Sequence, residues 1–135
     1  MRERTTFRGS KTLSVEAAGE WFYYGPECAK IYPVIRLRLA ETRAEYLRRT
    51  IPLIREGRAK YPGKAWWKLD PYLGAQLDSC DREYRRQVRC LFRAMRVAAE
   101  QDTIAMDIAW LTGEAFPFQP CNSPLEAVIR YGLGA

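Results

Sequence analysis

Six arginines between Asp70 and Glu100 are the residues with the clearest potential for chemistry. On a helix, at about 100° per residue, they fall together in one narrow arc. They are Arg82, Arg85, Arg86, Arg89, Arg93 and Arg96. Asp81 and Glu83 lie near the first turns of this segment, and no further acid follows before Glu100. Because guanidinium groups bind carboxylates and phosphates in a bidentate manner, this arginine stripe predicts a binding surface for an anionic partner.

One long amphipathic helix over about residues 70–100 must position this stripe. Asp70 followed by Pro71 is a helix-start signal, because an N-cap acceptor precedes a proline whose missing N–H costs nothing in the first turn. Apolar residues then recur three or four positions apart, roughly opposite the arginines. They are Leu73, Leu77, Cys80, Tyr84, Val88, Leu91, Met95 and Ala98. We predict that they form the buried face of the helix.

Tryptophans provide candidate anchors for a partner. Lys64 and Lys68 bracket Trp66 and Trp67, and Trp21 opens a run of four consecutive aromatic residues. Adjacent tryptophans point in different directions, so one of the pair is expected in the core and the other at a surface or an interface. Basic residues among aromatics also suit stacking on a nucleic-acid strand. Trp21, Trp66 and Trp67 are therefore candidate binding residues.

Composition argues against catalysis. The chain of 135 residues has a formal net charge of +6 and no histidine. It therefore lacks the usual general base and the commonest metal ligand. It also has no glycine-rich phosphate loop, and its carboxylates lie beside arginines that should keep them ionised. We predict a protein that is not an enzyme, with no cofactor, no metal site and no transmembrane segment.

The four cysteines, Cys28, Cys80, Cys90 and Cys121, do not have the spacing of a zinc site. Cys80 and Cys90 form a Cx9C in the sequence CDREYRRQVRC. This resembles half of the twin Cx9C arrangement of small helical proteins in the mitochondrial intermembrane space, which include structural accessory subunits of respiratory complexes. The resemblance covers about residues 77–95, and the second Cx9C is missing.

The resemblance implies a mitochondrial location, a place in a respiratory complex and disulfide bonds. Ten residues of helix rotate by about 280°, so Cys80 and Cys90 cannot bond to each other within one helix. They would need Cys28 and Cys121, or another chain. Without the resemblance, the expected location is soluble and intracellular.

The remaining segments predict an all-α fold, a small irregular helical domain with an extended N-terminal arm. Residues 1–13 are expected to form the basic arm, and residues 14–135 a single helical domain that opens with a short helix over 14–24. In the next helix Pro33 and Pro52 are expected to act as breaks or kinks. On that helix Leu37, Ala40, Ala44, Leu47 and Ile51 repeat at helical spacing, and Glu45 is expected to pair with Arg49.

The C-terminal third predicts two further helical segments. Ile104, Ile108 and Leu111 continue a helix that ends at Gly113. Gln101 and Asp102 either break this helix or only decorate it. Ser123 and Glu126 then form a capping box around Pro124, for a helix that carries Leu125, Val128 and Ile129 and ends at Gly132.

Three functions fit these observations. The first is a non-catalytic accessory subunit of a larger assembly, whose arginine stripe binds an acidic protein or anionic lipid headgroups. The second is a small basic nucleic-acid-binding protein, ribosomal or phage-like, that uses the same stripe on phosphates. The third is a small inhibitor that docks on another macromolecule.

Overall fold

The computed structural model describes residues 21–132, which contain four helices. They are α1 (Pro26–Lys60), α2 (Trp66–Leu69), α3 (Pro71–Thr112) and α4 (Pro124–Tyr131). Within residues 21–132 the extended backbone forms no sheet, only an isolated antiparallel bridge between Tyr24 and Cys121. The all-α prediction is confirmed. The basic arm predicted for residues 1–13 lies outside the described residues.

The backbone at Trp21–Gly25 is not helical, so the short helix predicted over 14–24 is wrong for its last four residues. Its earlier part lies outside the described residues. The Cys121 N–H donates to the Tyr24 carbonyl at 2.8 Å, which holds this segment extended. Pro26 also disfavours a helical conformation for Gly25, and it occupies the first position of α1.

Helix α1 continues through both of its internal prolines, so they do not break it, and the alternative that they kink it stays a prediction. A proline has no N–H, and the carbonyl four residues earlier loses its usual donor. Both prolines are exposed, and Arg48 is exposed too, so water can satisfy the carbonyl that Pro52 leaves without a donor. The apolar series from Leu37 to Ile51 also lies mainly at the surface. Leu37, for example, is 61% exposed.

Helix α3 begins as predicted, because the Asp70 carboxylate accepts a hydrogen bond from the Leu73 N–H at 3.1 Å. The helix does not break at Gln101 or Asp102 but runs to Thr112, and Gly113 follows with a φ of 71°. Only glycine adopts such a φ without strain, which explains the end of the helix there. The predicted apolar face of residues 73–98 is buried or half-buried at every position.

Helix α4 confirms the predicted cap. Ser123 Oγ accepts from the Glu126 N–H at 3.1 Å. The Glu126 carboxylate accepts from the Asn122 N–H at 2.8 Å, one residue earlier than a standard capping box requires. The helix ends at Gly132 as predicted. Its buried residues are Pro124 and Ala127, whereas Leu125 and Ile129 are exposed.

The chain forms two compact units. Of the described residues, the first comprises 21–37 and 91–132, and the second comprises 38–90. In the first unit the largest buried side chains include Tyr24, Ile35 and Met95. In the second they include Thr50 and Leu73. The single helical domain over residues 14–135 stays a prediction.

Candidate binding surfaces

Four members of the arginine stripe are exposed and form no ion pair with any described residue. They are Arg82, Arg85, Arg89 and Arg93. Because α3 is a regular helix here, their guanidinium groups extend from the side opposite its apolar face. These side chains can form bidentate contacts with carboxylate or phosphate groups without first giving up an existing ion pair.

The other two members form ion pairs within α3, with acids that lie at either end of the arginine stripe in the sequence. Arg86 donates to both carboxylate oxygens of Glu83, at 2.6 and 3.2 Å. These hydrogen bonds and a third from Gln87 hold the pKa of Glu83 below its ordinary value. Arg96 donates to Glu100 at 3.1 Å.

A groove of about 480 Å³ in the second unit adds an arginine that the sequence did not associate with the stripe. Arg49 of α1 lines it together with Arg82 and Arg86 of α3. The other lining residues are Glu45, Ser79, Glu83 and Gln87. Arg49 forms no ion pair among the described residues, because Glu45 pairs with Arg48 instead of with Arg49 as predicted. The groove is an arginine-rich surface of mixed charge.

Tyr46 connects α1 to α3 in this same unit. Its hydroxyl donates to Asp81 at 2.5 Å, and its ring lies 4.7 Å from that of Tyr84. The hydrogen bond to Asp81 and burial raise the pKa of Tyr46 to about 12. Asp81 therefore binds a tyrosine and, among the described residues, forms no ion pair with the arginine stripe.

The tryptophan pair is divided as predicted, with one ring in the core and the other at the surface. Trp66 is 4% exposed, whereas Trp67 is 49% exposed. The Trp66 ring lies directly against the backbone of Gly57 in α1, where a Cβ would lie 2.6 Å from its Cγ. Trp66 is therefore a core residue of the second unit, and its assignment as a binding residue is corrected. Trp67 remains a candidate.

Trp21 lies in an aromatic groove of the first unit that the sequence did not predict. The groove has a volume of about 540 Å³. The described residues that line it are Trp21, Tyr23, Met106, Asp107, Trp110, Phe116 and Pro120. The Trp21 and Tyr23 rings meet edge to face at 5.3 Å, and Trp110 is 71% exposed. We call this set the aromatic groove.

Asp102, a residue of α3, binds the backbone at the N-terminus of α1. Its buried carboxylate accepts hydrogen bonds from three backbone N–H groups, those of Gly25 at 2.7 Å and of Glu27 and Cys28 at 3.1 Å each. The neighbouring Thr103 hydroxyl accepts from the Tyr23 N–H at 2.9 Å. This arrangement caps α1 and fixes the wall of the aromatic groove that carries Tyr23.

All four cysteines are free thiols. Cys28, Cys80 and Cys121 are buried and Cys90 is exposed. Burial and the adjacent Asp102 carboxylate raise the pKa of Cys28, and burial raises that of Cys121. Among residues 21–132 no cluster of histidine, cysteine and acidic residues could hold a metal ion. No disulfide joins these four cysteines in the structure, so of the bonds implied by the Cx9C resemblance only those to another chain stay a prediction.

Alkylation should distinguish Cys90 from the other thiols. In the native protein we expect iodoacetamide to modify Cys90 at least about tenfold faster than any buried cysteine, because only its sulfur is accessible. In urea without reductant all four should react, as read by intact mass and peptide mapping. A mass that reaches four modifications only after reduction would show disulfides and support the Cx9C resemblance.

Comparisons with known proteins do not identify a family. No family model matches the chain, and neither a curated protein nor a solved structure matches it. In the part of the chain that the structure describes, no helix is long and apolar enough to cross a membrane. The candidate sites are therefore defined by the geometry of their own residues.

Proposed function

We propose that this chain is a non-catalytic accessory subunit that binds an acidic protein within a larger assembly through its arginine stripe. One observation carries the proposal. Arg82, Arg85, Arg89 and Arg93 project from one side of α3, exposed and without an ion pair to any described residue. Their planar, weakly hydrated guanidinium groups favour bidentate carboxylate contacts at an interface. A second copy is a poor ligand for this stripe, because guanidinium groups would face one another.

The mixed charge of the arginine groove favours a protein over a nucleic acid. Arg49 and Arg82 line this groove, but Glu45 and Glu83 line it too. A nucleic-acid backbone presents closely spaced phosphates, and those next to the two glutamates would be repelled. A protein surface can instead place single carboxylates against the arginines and polar groups against the glutamates.

Exposed apolar residues of α3 in the first unit form a separate candidate surface, which suits a helical partner. Val97, Ile104, Ile108 and Leu111 are between 47% and 75% exposed. Their spacing of seven, four and three residues is that of a helix–helix seam. A row of exposed aliphatic side chains of this kind usually marks an interaction surface.

The proposal is tested with two triple variants that lose the same charge. We expect Arg82→Gln, Arg85→Gln and Arg89→Gln together to weaken assembly about a hundredfold, because each charge-assisted contact contributes on the order of 1 kcal/mol or more. The control carries Arg38→Gln, Arg43→Gln and Arg55→Gln, three exposed arginines of α1 in the same unit. Circular dichroism checks that both variants keep their helicity.

The measurement is sedimentation of each variant in extract of the source cells, with and without nuclease. The wild type and the control should travel in a large particle that survives nuclease, and the stripe variant should sediment as a free protein. Release of the wild type by nuclease would support a nucleic-acid ligand instead. If both variants left the large particle to the same extent, net charge and not the arginine stripe would be responsible for assembly.

A further inference from the structure

We propose that α3 of one chain packs antiparallel against α3 of a second copy, through the exposed aliphatic residues of the first unit. These residues are Val97, Ile104, Ile108 and Leu111, between 47% and 75% exposed, and we call them the aliphatic seam. The second copy is the helical partner that this surface suits. The inference does not rest on the acidic partner proposed for the arginine stripe.

The aliphatic seam lies on the side of α3 that faces away from the core of the first unit. At about 100° per residue its four members fall within an arc of about 60°. The buried residues Met95, Asp102 and Met106 lie roughly opposite this arc. A set of aliphatic residues that returns to one face after seven residues is the pattern of a two-helix interface. Because these side chains stay exposed in the folded chain, a second helix that covers them comes from another molecule.

An arginine and a glutamate without ion-pair partners lie at the two ends of the aliphatic seam. Arg93 precedes Val97 by about one turn, and Glu114 follows Leu111 just beyond the end of α3. Both charged side chains are exposed and form no ion pair with any described residue. In an antiparallel pair of helices the beginning of each seam meets the end of the other. Each Arg93 therefore approaches Glu114 of the second copy, and twofold symmetry forms this contact twice.

The spacing fixes a register, because the aliphatic side chains of one copy must fill the gaps between those of the other. If Val97 of one copy faces Ile108 of the other, Arg93 lies opposite Thr112, two residues from Glu114. The long arginine side chain spans this distance of about 3 Å along the helix axis. A parallel pair would instead bring the two Arg93 side chains to the same level, where they repel each other. The charges therefore select the antiparallel arrangement.

The other polar side chains along the aliphatic seam are compatible with this pairing. Glu100 and Asp107 lie on its flank, and each already has a partner in its own chain. Gln101 is exposed between Val97 and Ile104. In the register given above, the two Gln101 side chains lie about 4.5 Å apart along the axis, so their amides can form a hydrogen bond across the interface. One polar pair within an apolar seam favours a single register.

Sedimentation velocity of the purified full chain tests for the second copy. The aliphatic seam extends over about 21 Å of helix, so the interface is smaller than the standard one of roughly 800 Å² per partner. We therefore expect a reversible dimer with a Kd on the order of 10–100 µM. Between about 1 and 500 µM the weight-average sedimentation coefficient should rise from that of a monomer towards that of a dimer.

Matched apolar variants locate the interface. Ile104→Gln and Ile108→Gln together should raise the Kd of the dimer about tenfold or more, because two aliphatic side chains of each copy lose their apolar contacts. The control carries Leu125→Gln and Ile129→Gln, two exposed aliphatic residues of α4 in the same unit, and should dimerise like the wild type. All four positions are exposed, so both variants should keep the fold, and circular dichroism checks this.

A charge exchange tests the antiparallel arrangement. Arg93→Glu and Glu114→Arg should each raise the Kd about threefold or more, because each change places like charges together at both ends of the dimer. The double variant restores opposite charges at both ends, so its Kd should return to near the wild-type value. In a parallel dimer Arg93→Glu would need no compensating change at Glu114, and the double variant would show no recovery.

Three results would overturn the proposal. A wild type that stays monomeric at about 500 µM would leave a different protein as the partner of the aliphatic seam. The other two are an equal loss of dimer in the α4 control and a failure of the double charge exchange to recover dimerisation. The variant with Arg82→Gln, Arg85→Gln and Arg89→Gln should still dimerise, so failure of this proposal is distinguishable from failure of the proposed function.

Discussion

Replacement of Asp102 by alanine is expected to lower the free energy of unfolding by about 3–5 kcal/mol. The carboxylate accepts hydrogen bonds from the backbone N–H groups of Gly25, Glu27 and Cys28. Alanine would leave these donors without their acceptor in a site where Asp102 itself is only 2% exposed. The negative charge at the first turn of α1 would be lost as well, and it interacts favourably with the helix dipole.

Urea denaturation followed by circular dichroism measures this effect. Asp78→Ala is the control, because Asp78 is an exposed aspartate of the same helix, and we expect it to change stability by less than about 0.5 kcal/mol. The loss of unfolding free energy in Asp102→Asn should lie between those of Asp102→Ala and Asp78→Ala. The amide keeps one acceptor oxygen but places its NH₂ group near N–H donors. A cost below about 1 kcal/mol for Asp102→Ala would contradict the capping role.

Replacement of Trp66 by alanine is expected to lower the free energy of unfolding by about 3–5 kcal/mol. Trp67→Ala should lower it by less than about 1 kcal/mol. The two residues have the same chemistry and adjacent positions but very different burial, at 4% and 49% exposed. Removal of the buried indole would leave a cavity beside Gly57, and removal of the exposed one would not. Equal losses in the two variants would contradict the assignment of Trp66 to the core.

A double-mutant cycle with Gly57 tests the contact directly. A Cβ at this position would lie 2.6 Å from Trp66 Cγ, so Gly57→Ala should destabilise the wild type by about 1–3 kcal/mol. In the Trp66→Ala background the obstruction is gone, and the higher helix propensity of alanine should make the same change neutral or stabilising. Thermal or urea unfolding of the four proteins gives the coupling energy.

Local signals in the sequence were sufficient for parts of this fold. Asp70–Pro71 and Ser123–Pro124 mark helix starts, because the capping groups lie within three residues of the donors that they bind. Gly113 marks a helix end for an equally local reason, its positive φ. The Glu83–Arg86 and Arg96–Glu100 ion pairs were also predictable, because their i,i+3 and i,i+4 spacings are visible in the sequence.

Features that depend on distant contacts were not predictable in this way. Arg49 lines the same groove as Arg82 only because α1 and α3 pack together within the second unit. The aromatic groove likewise combines Trp21 with Trp110, which are far apart in the chain. The burial of Asp102 was predictable from the sequence, because this residue follows Met95, Ala98 and Ala99 at the spacing of one buried helix face. A carboxylate on such a face needs hydrogen-bond donors, which makes it a candidate cap.

The separation of Gly25 and Asp102 by 77 residues also has a consequence for the order of events during synthesis. A ribosome that adds roughly 5–20 residues per second needs roughly 4–15 s to reach Asp102 after Gly25 has been made. During this interval the first turn of α1 has no carboxylate acceptor, so its backbone N–H groups stay hydrated and the turn frays. The nascent chain therefore completes the start of α1 only after most of α3 has been translated.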